Sequence, residues 1–186
     1  ANVFPGYDSI IPKEAASVAE ILKQSGYSTG AFGKWHLAPL WEQTLAGPFD
    51  RWPTGLGFER FYGFLGGETD QYHPDLVYDN HQVDPPRTPE QGYHLTEDMA
   101  DKAELFINDL RAAHPEKPFF MWFAPGACHA PHQAPKSFID AYRGKFDQGW
   151  DAWREEVFAR QKKSGLLPID TVLSERPHWV PEWAGL

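Results

Sequence analysis

The 186-residue sequence predicts an α/β fold, and three features of the chain predict it. A helical pattern precedes a short strand pattern near the N-terminus. A second helical pattern precedes a continuous apolar run of β-strand length, and a polar loop follows each strand. Helices that alternate with buried strands are typical of sheets whose ligands bind at the carboxyl ends of the strands. The loops after the two strands are therefore the expected places for a functional site.

The first helix is predicted over residues 13–25, where apolar side chains recur at helical spacing. Pro12 precedes this segment, and Gly26 stands where a C-terminal cap belongs. Residues 27–32 (YSTGAF) then mix aromatic and β-favouring residues, which predicts a short strand. The segment 33–36 (GKWH) lies at the end of this strand.

A stretch at about 38–92 is rich in glycine, proline and aromatic residues, and it shows no sustained helical or β-strand periodicity. We interpret it as an insertion of ordered loops and short strands. So many aromatic side chains indicate that it packs over a core or lines a pocket.

The second helix is predicted to start at Thr96, which is followed by two acidic residues. Its inner face is formed by Met99, Ala103, Phe106, Ile107 and Leu110. Residues 119–124 (FFMWFA) then have the pattern of a strand that is buried on both faces. A loop over residues 125–135 follows, so His129 is expected near the carboxyl end of this strand.

The remainder predicts two more helices. The first is short and lies near residues 136–142. The second spans residues 150–163, with Trp153 and Val157 on its inner face and Gly165 as its stop.

Composition excludes several classes of function. The chain has 17 Lys plus Arg against 26 Asp plus Glu, a formal charge of −9, which argues against a nucleic-acid partner. Cys128 is the only cysteine, so no internal disulfide can form. No apolar run approaches the roughly eighteen residues that a membrane span needs. The chain starts without Met and ends on a Pro/Trp-rich stretch, so we expect a fragment of a longer protein.

Lys34 and His36 are the first candidate site residues. Alternate side chains of an extended segment share a face, so these two are expected to project together while Trp35 packs on the other side. A fixed cation beside an imidazole suits an anionic group, because the imidazole can hydrogen-bond or exchange a proton near neutral pH. The alternative is a surface lysine and a structural histidine that are two residues apart by chance.

His129 and His132 are the second pair, held on a loop that Pro131 and Pro135 stiffen. A neutral imidazole could bind a metal, and a protonated one could act as a general acid. The alternative, a solvated side chain on a capped turn, is favoured for His132 but not for His129. A Cys128–His129 nucleophile pair is not favoured, because neighbours in sequence usually point apart.

Four aspartates could in principle ligate a hard cation, but no calcium-binding loop is recognisable around them. We expect them to be solvated loop acids: Asp70, Asp75, Asp79 and Asp98.

Residues 19–23 (AEILK), 26–29 (GYST) and 33–37 (GKWHL) are similar to the second signature of the sulfatase family. The sequence therefore resembles that family, of the bacterial arylsulfatase type. Further similar segments follow in the family's order: 57–64 (GFERFYGF), 119–124 and 129–132 (HAPH), with 142–147 (YRGKFD) resembling bacterial arylsulfatases.

The resemblance implies an alkaline-phosphatase-like mixed-sheet sandwich with helices on both faces. It also implies hydrolysis of a small-molecule sulfate ester, an aryl sulfate by family habit. The expected cofactors are a formylglycine made from Cys or Ser and a divalent cation, usually calcium. By the same resemblance Lys34, His36 and His129 are catalytic, and Lys34, His129 and His132 bind the substrate.

Departures from the family's pattern limit this prediction. The Cys/Ser-x-Pro-Ser-Arg modification motif is absent, and so are the paired Asp and the later Asp-Asn that hold the cation. We therefore expect residues 1–186 to be a fragment of a catalytic domain with no metal ligands of its own, inactive in isolation. The family does not fix the compartment, since bacterial members occur in the periplasm and in the cytoplasm, nor does it fix the oligomeric state.

Other interpretations stay open. A phosphodiesterase or phosphonate hydrolase shares the same fold, although the GKWH string favours sulfate esters. A non-catalytic domain could use His36, His129 and His132 to hold zinc, or bind a partner. A third alternative is a truncated, inactive remnant.

Overall fold

The computed structural model describes residues 10–186, and the chain divides into two units between Ala134 and Pro135. The predicted domain range 1–186 includes residues 1–9, which lie outside the described part. The first unit contains two helices and five strands: α1 (Val18–Gln24), β1 (Ser28–Lys34), β2 (Arg60–Phe64), β3 (Val77–Tyr78), β4 (His81–Gln82), α2 (Leu95–Ala113) and β5 (Phe119–Ala124). The second unit contains α3 (Lys136–Asp140) and α4 (Gly149–Lys163).

The five strands form one mixed sheet in the order β4-β3-β2-β1-β5. β1 is parallel to both of its neighbours, β2 and β5, whereas the short β3 and β4 pair antiparallel. The carboxyl ends of β1, β2 and β5 therefore meet at one edge of the sheet. This mixed α/β arrangement confirms the fold class predicted from the sequence.

Two apolar clusters cover the two faces of the sheet, because successive strand residues point to opposite faces. On β1 and β2, Ala31 and Phe61 belong to one cluster, and their neighbours Phe32 and Tyr62 belong to the other. The first cluster includes Ala19 of α1, and the second includes the inner face of α2. Helices thus lie on both faces, as predicted.

Helix α1 is shorter than the predicted range 13–25. Ser17 caps it, since its hydroxyl accepts the Glu20 N–H at 3.0 Å and donates to the Leu56 carbonyl. Ala19 is fully buried against the sheet, whereas the apolar side chains of Val18 and Ile21 are exposed. A cap anchored to a loop far along the chain, rather than local propensity, sets where this helix begins.

Strand β1 extends two residues beyond the predicted range 27–32, because both of its neighbours continue to pair with it as far as Gly33. Gly33 has φ of +110°, and a Cβ there would lie 2.1 Å from the Ala124 carbonyl oxygen. Only glycine fits this crowded, left-handed position. Lys34 is consequently the last residue of the strand rather than part of the loop.

The aromatic-rich stretch at about 38–92 is ordered and packs over the first cluster, in agreement with the sequence analysis. Trp52 is 1% exposed, and its indole N–H donates to the Glu42 carbonyl at 2.7 Å. The indole N–H of Trp35 donates to the Arg51 carbonyl at 2.8 Å. The stretch also contributes β2, β3 and β4, which are three of the five strands of the sheet.

Helix α2 confirms the predicted buried positions Met99, Ala103 and Phe106, and it begins one residue before Thr96. Asp98 on this helix was wrongly expected to be solvated. It is 3% exposed, and its carboxylate accepts the hydroxyls of Tyr62 at 2.6 Å and Tyr93 at 3.2 Å. Burial, with this neighbouring carboxylate, raises the pKa of both tyrosine hydroxyls.

Strand β5 has the predicted bounds 119–124, but the prediction that both of its faces are buried was wrong. Phe119, Trp122 and Phe123 are 38%, 48% and 43% exposed. The reason is position: within the described part of the chain, β5 is an edge strand and pairs only with β1.

The second unit confirms two further helices, with α3 ending at Asp140 and Gly165 following α4 in a left-handed conformation. The expected inner face of α4 is only partly correct, since Val157 is half-buried but Trp153 is 37% exposed. Trp150 packs edge-on against Trp183 at 4.9 Å between ring centroids. In residues 10–186, no helix combines the length and apolarity that crossing a bilayer requires.

Candidate functional site

Three loops meet where the parallel strands end. Trp35 and His36 follow Lys34 at the end of β1, the Gly66–Gly67–Glu68 turn follows β2, and the segment from Gly126 to His129 follows β5. β1 lies between the other two strands, so its terminal residues are flanked by both neighbouring loops. Three of the predicted site residues, Lys34, His36 and His129, therefore belong to one edge of the sheet.

His36 turns out of the strand direction. Its φ is +55°, and its backbone N–H donates to the Leu65 carbonyl at 3.0 Å. The imidazole lies over Gly67, where a Cβ would come within 2.8 to 3.1 Å of the ring atoms. Trp35 is buried on the other side, as predicted. Close backbone approach at Gly67, rather than simple strand alternation, positions the His36 ring.

The positive charges around His36 affect its protonation. His36 as a whole residue is exposed, but partial burial of its ring is the main cause that lowers its pKa, and the nearby charges of Lys34 and His129 lower the pKa further. Neutral imidazole is therefore favoured at pH 7, and it can accept a hydrogen bond or a proton. Lys34 and His129 are thus both within electrostatic reach of the His36 imidazole.

Replacing Lys34 with glutamine is expected to raise the pKa of His36, because a nearby repelling cation is removed. An NMR titration of the His36 imidazole protons measures this shift. Lys117→Gln, which removes an exposed lysine after α2, is the matched control and should leave the titration unchanged. A His36 midpoint that does not move, or that falls, in Lys34→Gln would contradict the proximity of the two side chains.

His129 has one nitrogen engaged and one free. Its Nδ1 lies 2.8 Å from the Ala130 carbonyl oxygen and 3.3 Å from Glu68 Oε2. Both neighbours are acceptors, so Nδ1 carries a proton and Nε2 is the nitrogen left for a ligand. The backbone N–H of His129 also donates to the Gly126 carbonyl at 2.9 Å, which fixes the turn. His129 is thus oriented as a donor or acceptor through Nε2.

Glu68 is the site residue that sequence reasoning missed. It lies in the stretch interpreted as irregular, so the end of β2 was not recognised as a third strand end. The available signal was position alone: an acid that follows two glycines a few residues after the GFERFYGF segment. Its partner in the structure is His129, 61 positions further along the chain, and no local pattern indicates such a pair.

A hydrogen-bonded brace ties the loop after β2 to the loop after β5. The side chain of Gln133 accepts the Gln71 N–H and donates to Asp70 Oδ2, each at 2.7 Å. Asp70 also accepts the N–H groups of Tyr72 and His73 at 2.8 Å. The bond from Gln133 is the main cause that lowers the pKa of Asp70. Asp70 therefore organises the loops and is not simply the solvated acid expected from the sequence.

Lys34 is half-buried, and its ammonium group forms no hydrogen bond or ion pair with residues 10–186. His132 is exposed and likewise makes no side-chain hydrogen bond within the described residues, so its substrate-binding role stays a prediction. Cys128 is exposed as a free thiol. An uncompensated ammonium at the same edge of the sheet as His36 and His129 is a setting for an anionic group.

No group of three or more His, Cys, Asp or Glu side chains among residues 10–186 is arranged to hold a metal ion. His36, His129 and His132 therefore do not form the zinc site of the non-catalytic alternative. The other aspartates have separate surroundings: Asp79 accepts the Phe61 N–H at 2.9 Å, and Asp75 is exposed. The described residues thus do not assemble a divalent-cation site.

A family model, similar sequences and solved structures were each found to match this chain. The family model described as "Sulfatase" matches residues 2–175. An uncharacterized sulfatase of Schizosaccharomyces pombe is 31% identical over 90% of this chain, and an arylsulfatase of Klebsiella aerogenes is 30% identical over 97%. Among solved structures, Ps i-CgsB in complex with k-i-k-neocarrahexaose matches 74% of this chain and 32% of its own, with a TM-score of 0.59 and 25% identity.

The chain spans only part of these relatives. It covers 31% of the Schizosaccharomyces pombe protein and 38% of the Klebsiella aerogenes protein. The matched structures of Ps i-CgsB are likewise covered to 32% and 34%. The features described above therefore correspond to about a third of each relative.

Proposed function

Because the chain belongs to the sulfatase family, we propose that it forms part of the catalytic domain of a protein that hydrolyses sulfate esters to an alcohol and inorganic sulfate. The single observation that carries this proposal is the cluster of Lys34, His36 and His129 at the ends of adjacent parallel strands. A sulfate ester is an anion whose charge shifts to the leaving oxygen as the S–O bond breaks. The cluster offers a cation for the anionic sulfate group and imidazoles that can exchange a proton as the leaving oxygen becomes charged.

Each residue has a proposed role. Lys34 stabilises the negative charge of the sulfate group with an ammonium that no other described side chain neutralises. His36, whose lowered pKa keeps it neutral, accepts a proton or hydrogen bond near the nucleophile. His129, in its doubly protonated form, donates the Nε2 proton to the leaving oxygen and becomes the neutral ring whose Nδ1–H stays engaged with Ala130 and Glu68.

Sulfatases generally use a formylglycine and a divalent cation, which supply the nucleophile and a fixed positive charge. The described residues do not fit the cation, since no suitable ligand group exists among them. The Cys/Ser-x-Pro-Ser-Arg motif is not in the sequence either. We propose that both groups, with calcium as the cation, are supplied by parts of a longer protein.

An aryl sulfate is the proposed assay substrate, since the similar Klebsiella aerogenes protein is an arylsulfatase. We expect the full-length protein to release 4-nitrophenol from 4-nitrophenyl sulfate, and we expect the 186-residue chain alone to give no rate above the blank. The physical reason is that the chain holds the groups for substrate charge and leaving-group protonation but not the nucleophile.

Parallel assays of the two proteins with and without added calcium test this proposal. A calcium-dependent rate from the isolated chain would contradict the placement of nucleophile and cation outside it. A full-length protein that does not cleave the ester would contradict the proposed function itself.

A further inference from the structure

The loop that carries His129 is held at both of its ends by the segment that follows β2. At the near end, the His129 N–H donates to the Gly126 carbonyl at 2.9 Å. Gly126 lies close to the buried Gln71, because a Cβ at Gly126 would come within 3.1 Å of Gln71 Nε2. At the far end, the side chain of Gln133 bonds to the Gln71 N–H and to the Asp70 carboxylate. Both ends of the loop therefore rest on the same short segment.

That segment is itself anchored to the start of α2. Gln71 is 4% exposed, and its carbonyl accepts the Leu95 N–H at 2.8 Å. His94 caps α2, since its Nδ1 accepts the Thr96 N–H at 3.3 Å. Nε2 of the neutral His94 ring therefore carries the proton, and it lies 3.3 Å from the Gln133 carbonyl oxygen. Gln133 is thus held both by its side chain and by its backbone.

The backbone between Gln133 and His129 has little freedom. Pro131 fixes its own φ and biases Ala130 towards extended geometry. The Gln133 N–H donates to the Pro131 carbonyl at 3.0 Å, which closes a tight turn. The Ala130 carbonyl directly precedes this turn, and its oxygen lies 2.8 Å from His129 Nδ1. An anchor on Gln133 therefore reaches the acceptor that orients the His129 ring.

Hydrogen bonds, rather than packing, set the orientation of this ring, because the side chain of His129 is 52% exposed. The two acceptors of its Nδ1 lie on different loops: Ala130 follows β5, and Glu68 follows β2. Since Gln133 joins these two loops, it holds both acceptors in place. Proton transfer requires the donor within hydrogen-bond reach of the leaving oxygen, and a misplacement of about 1 Å can lower a rate by about 100-fold.

We propose that Gln133 and Asp70 are positioning residues for the proton transfer by His129. The side chain of Gln133 ties the loop after β5 to the loop after β2, and this connection directs His129 Nε2 at the leaving oxygen. The inference rests on the proposed function and adds to it two residues that act through His129 rather than on the substrate.

Reversing the polarity of the bond between Gln133 and Asp70 in the full-length protein tests this role. The bond from Gln133 lowers the pKa of Asp70, so Gln133→Glu places a second carboxylate against an ionised one. Asp70→Asn alone places an amide N–H against the Gln133 amide. In the double variant the introduced amide donates to the introduced carboxylate, while the N–H groups of Tyr72 and His73 keep a side-chain oxygen as their acceptor.

Each single variant is expected to lower kcat by about 30-fold on phenyl sulfate but by only about threefold on 4-nitrophenyl sulfate, because phenol depends more on a proton from the enzyme. The small loss on 4-nitrophenyl sulfate also shows that the variant is folded. The double variant should return both rates to within about threefold of wild type. Gln24→Ala removes an exposed glutamine–carboxylate hydrogen bond on α1, and this matched control should change neither rate.

A further combination tests whether the effect passes through His129. Adding Gln133→Glu to His129→Ala should lower the remaining rate by less than about twofold, because the group that Gln133 positions is already absent. Equal losses on the two esters, a double variant no better than the single ones, or a full further loss in His129→Ala overturns the positioning role. A wild-type protein that cleaves neither ester overturns the proposed function itself and, with it, this role.

Discussion

Replacing His129 with alanine in the full-length protein is expected to lower kcat by about 100-fold on 4-nitrophenyl sulfate and by about 10,000-fold on phenyl sulfate. The two losses differ because phenol is a more basic leaving group than 4-nitrophenol and depends more on a proton from the enzyme. The structure motivates this role: Nδ1 of His129 is held by the Ala130 carbonyl and Glu68, so Nε2 is free to act.

Steady-state rates on the two esters measure this difference. His114→Ala, which removes an exposed histidine at the end of α2, is the matched control and should leave both rates unchanged. Equal losses on the two esters would mean that His129 contributes contact or charge but not proton transfer. Loss of Glu68 would be expected to disturb the orientation of His129 rather than remove the proton donor.

The Lys34→Gln variant is expected to lose about 100- to 1,000-fold in kcat/KM for 4-nitrophenyl sulfate. The ammonium of Lys34 is half-buried and unpaired within the described residues, so its charge is available to the sulfate group. Lys34→Arg keeps the charge but changes its shape and reach, so we expect an intermediate rate.

Product inhibition separates ground-state from transition-state binding by Lys34. If inorganic sulfate inhibits wild type and Lys34→Gln equally, the lysine acts mainly in the transition state. Lys117→Gln serves again as the exposed-lysine control. A kcat/KM within about twofold of wild type in Lys34→Gln would contradict the electrostatic role.

Local patterns predicted the elements whose limits are set locally. Strand β5 has the bounds that its apolar run indicates, and the inner face of α2 follows its helical spacing. The ends of α1 and β1 could not be predicted in this way. The cap of α1 depends on a contact with Leu56, and β1 continues to Lys34 because residues of β2 and β5 pair with it.

The site residues likewise include some that local sequence patterns indicate and others that depend on contacts between distant parts of the chain. The identities of Lys34, His36 and His129 followed from a resemblance in the sequence, and the topology brings the ends of their strands together. Glu68 and the Asp70–Gln133 brace depend on pairs separated by more than 60 positions, which periodicity cannot reveal. Asp98 was misjudged for a similar reason, since the Tyr62 that engages it lies on β2, 36 positions earlier in the chain than this residue of α2.

The exposure of the β5 side chains was misjudged for a different reason. An apolar run predicts burial but does not say what buries it, and within residues 10–186 the strand has a neighbour on one side only. Since the chain covers about a third of its relatives, we expect other parts of a longer protein to cover these side chains.

The most direct measurement for the central claim is the ratio of kcat/KM for 4-nitrophenyl sulfate to kcat/KM for bis(4-nitrophenyl) phosphate, obtained with the full-length protein. A cluster of Lys34, His36 and His129 that serves sulfate esters predicts a preference for the sulfate ester of about 100-fold or more. A preference for the phosphate diester would contradict the proposal and would assign the same strand-end site to a phosphodiesterase.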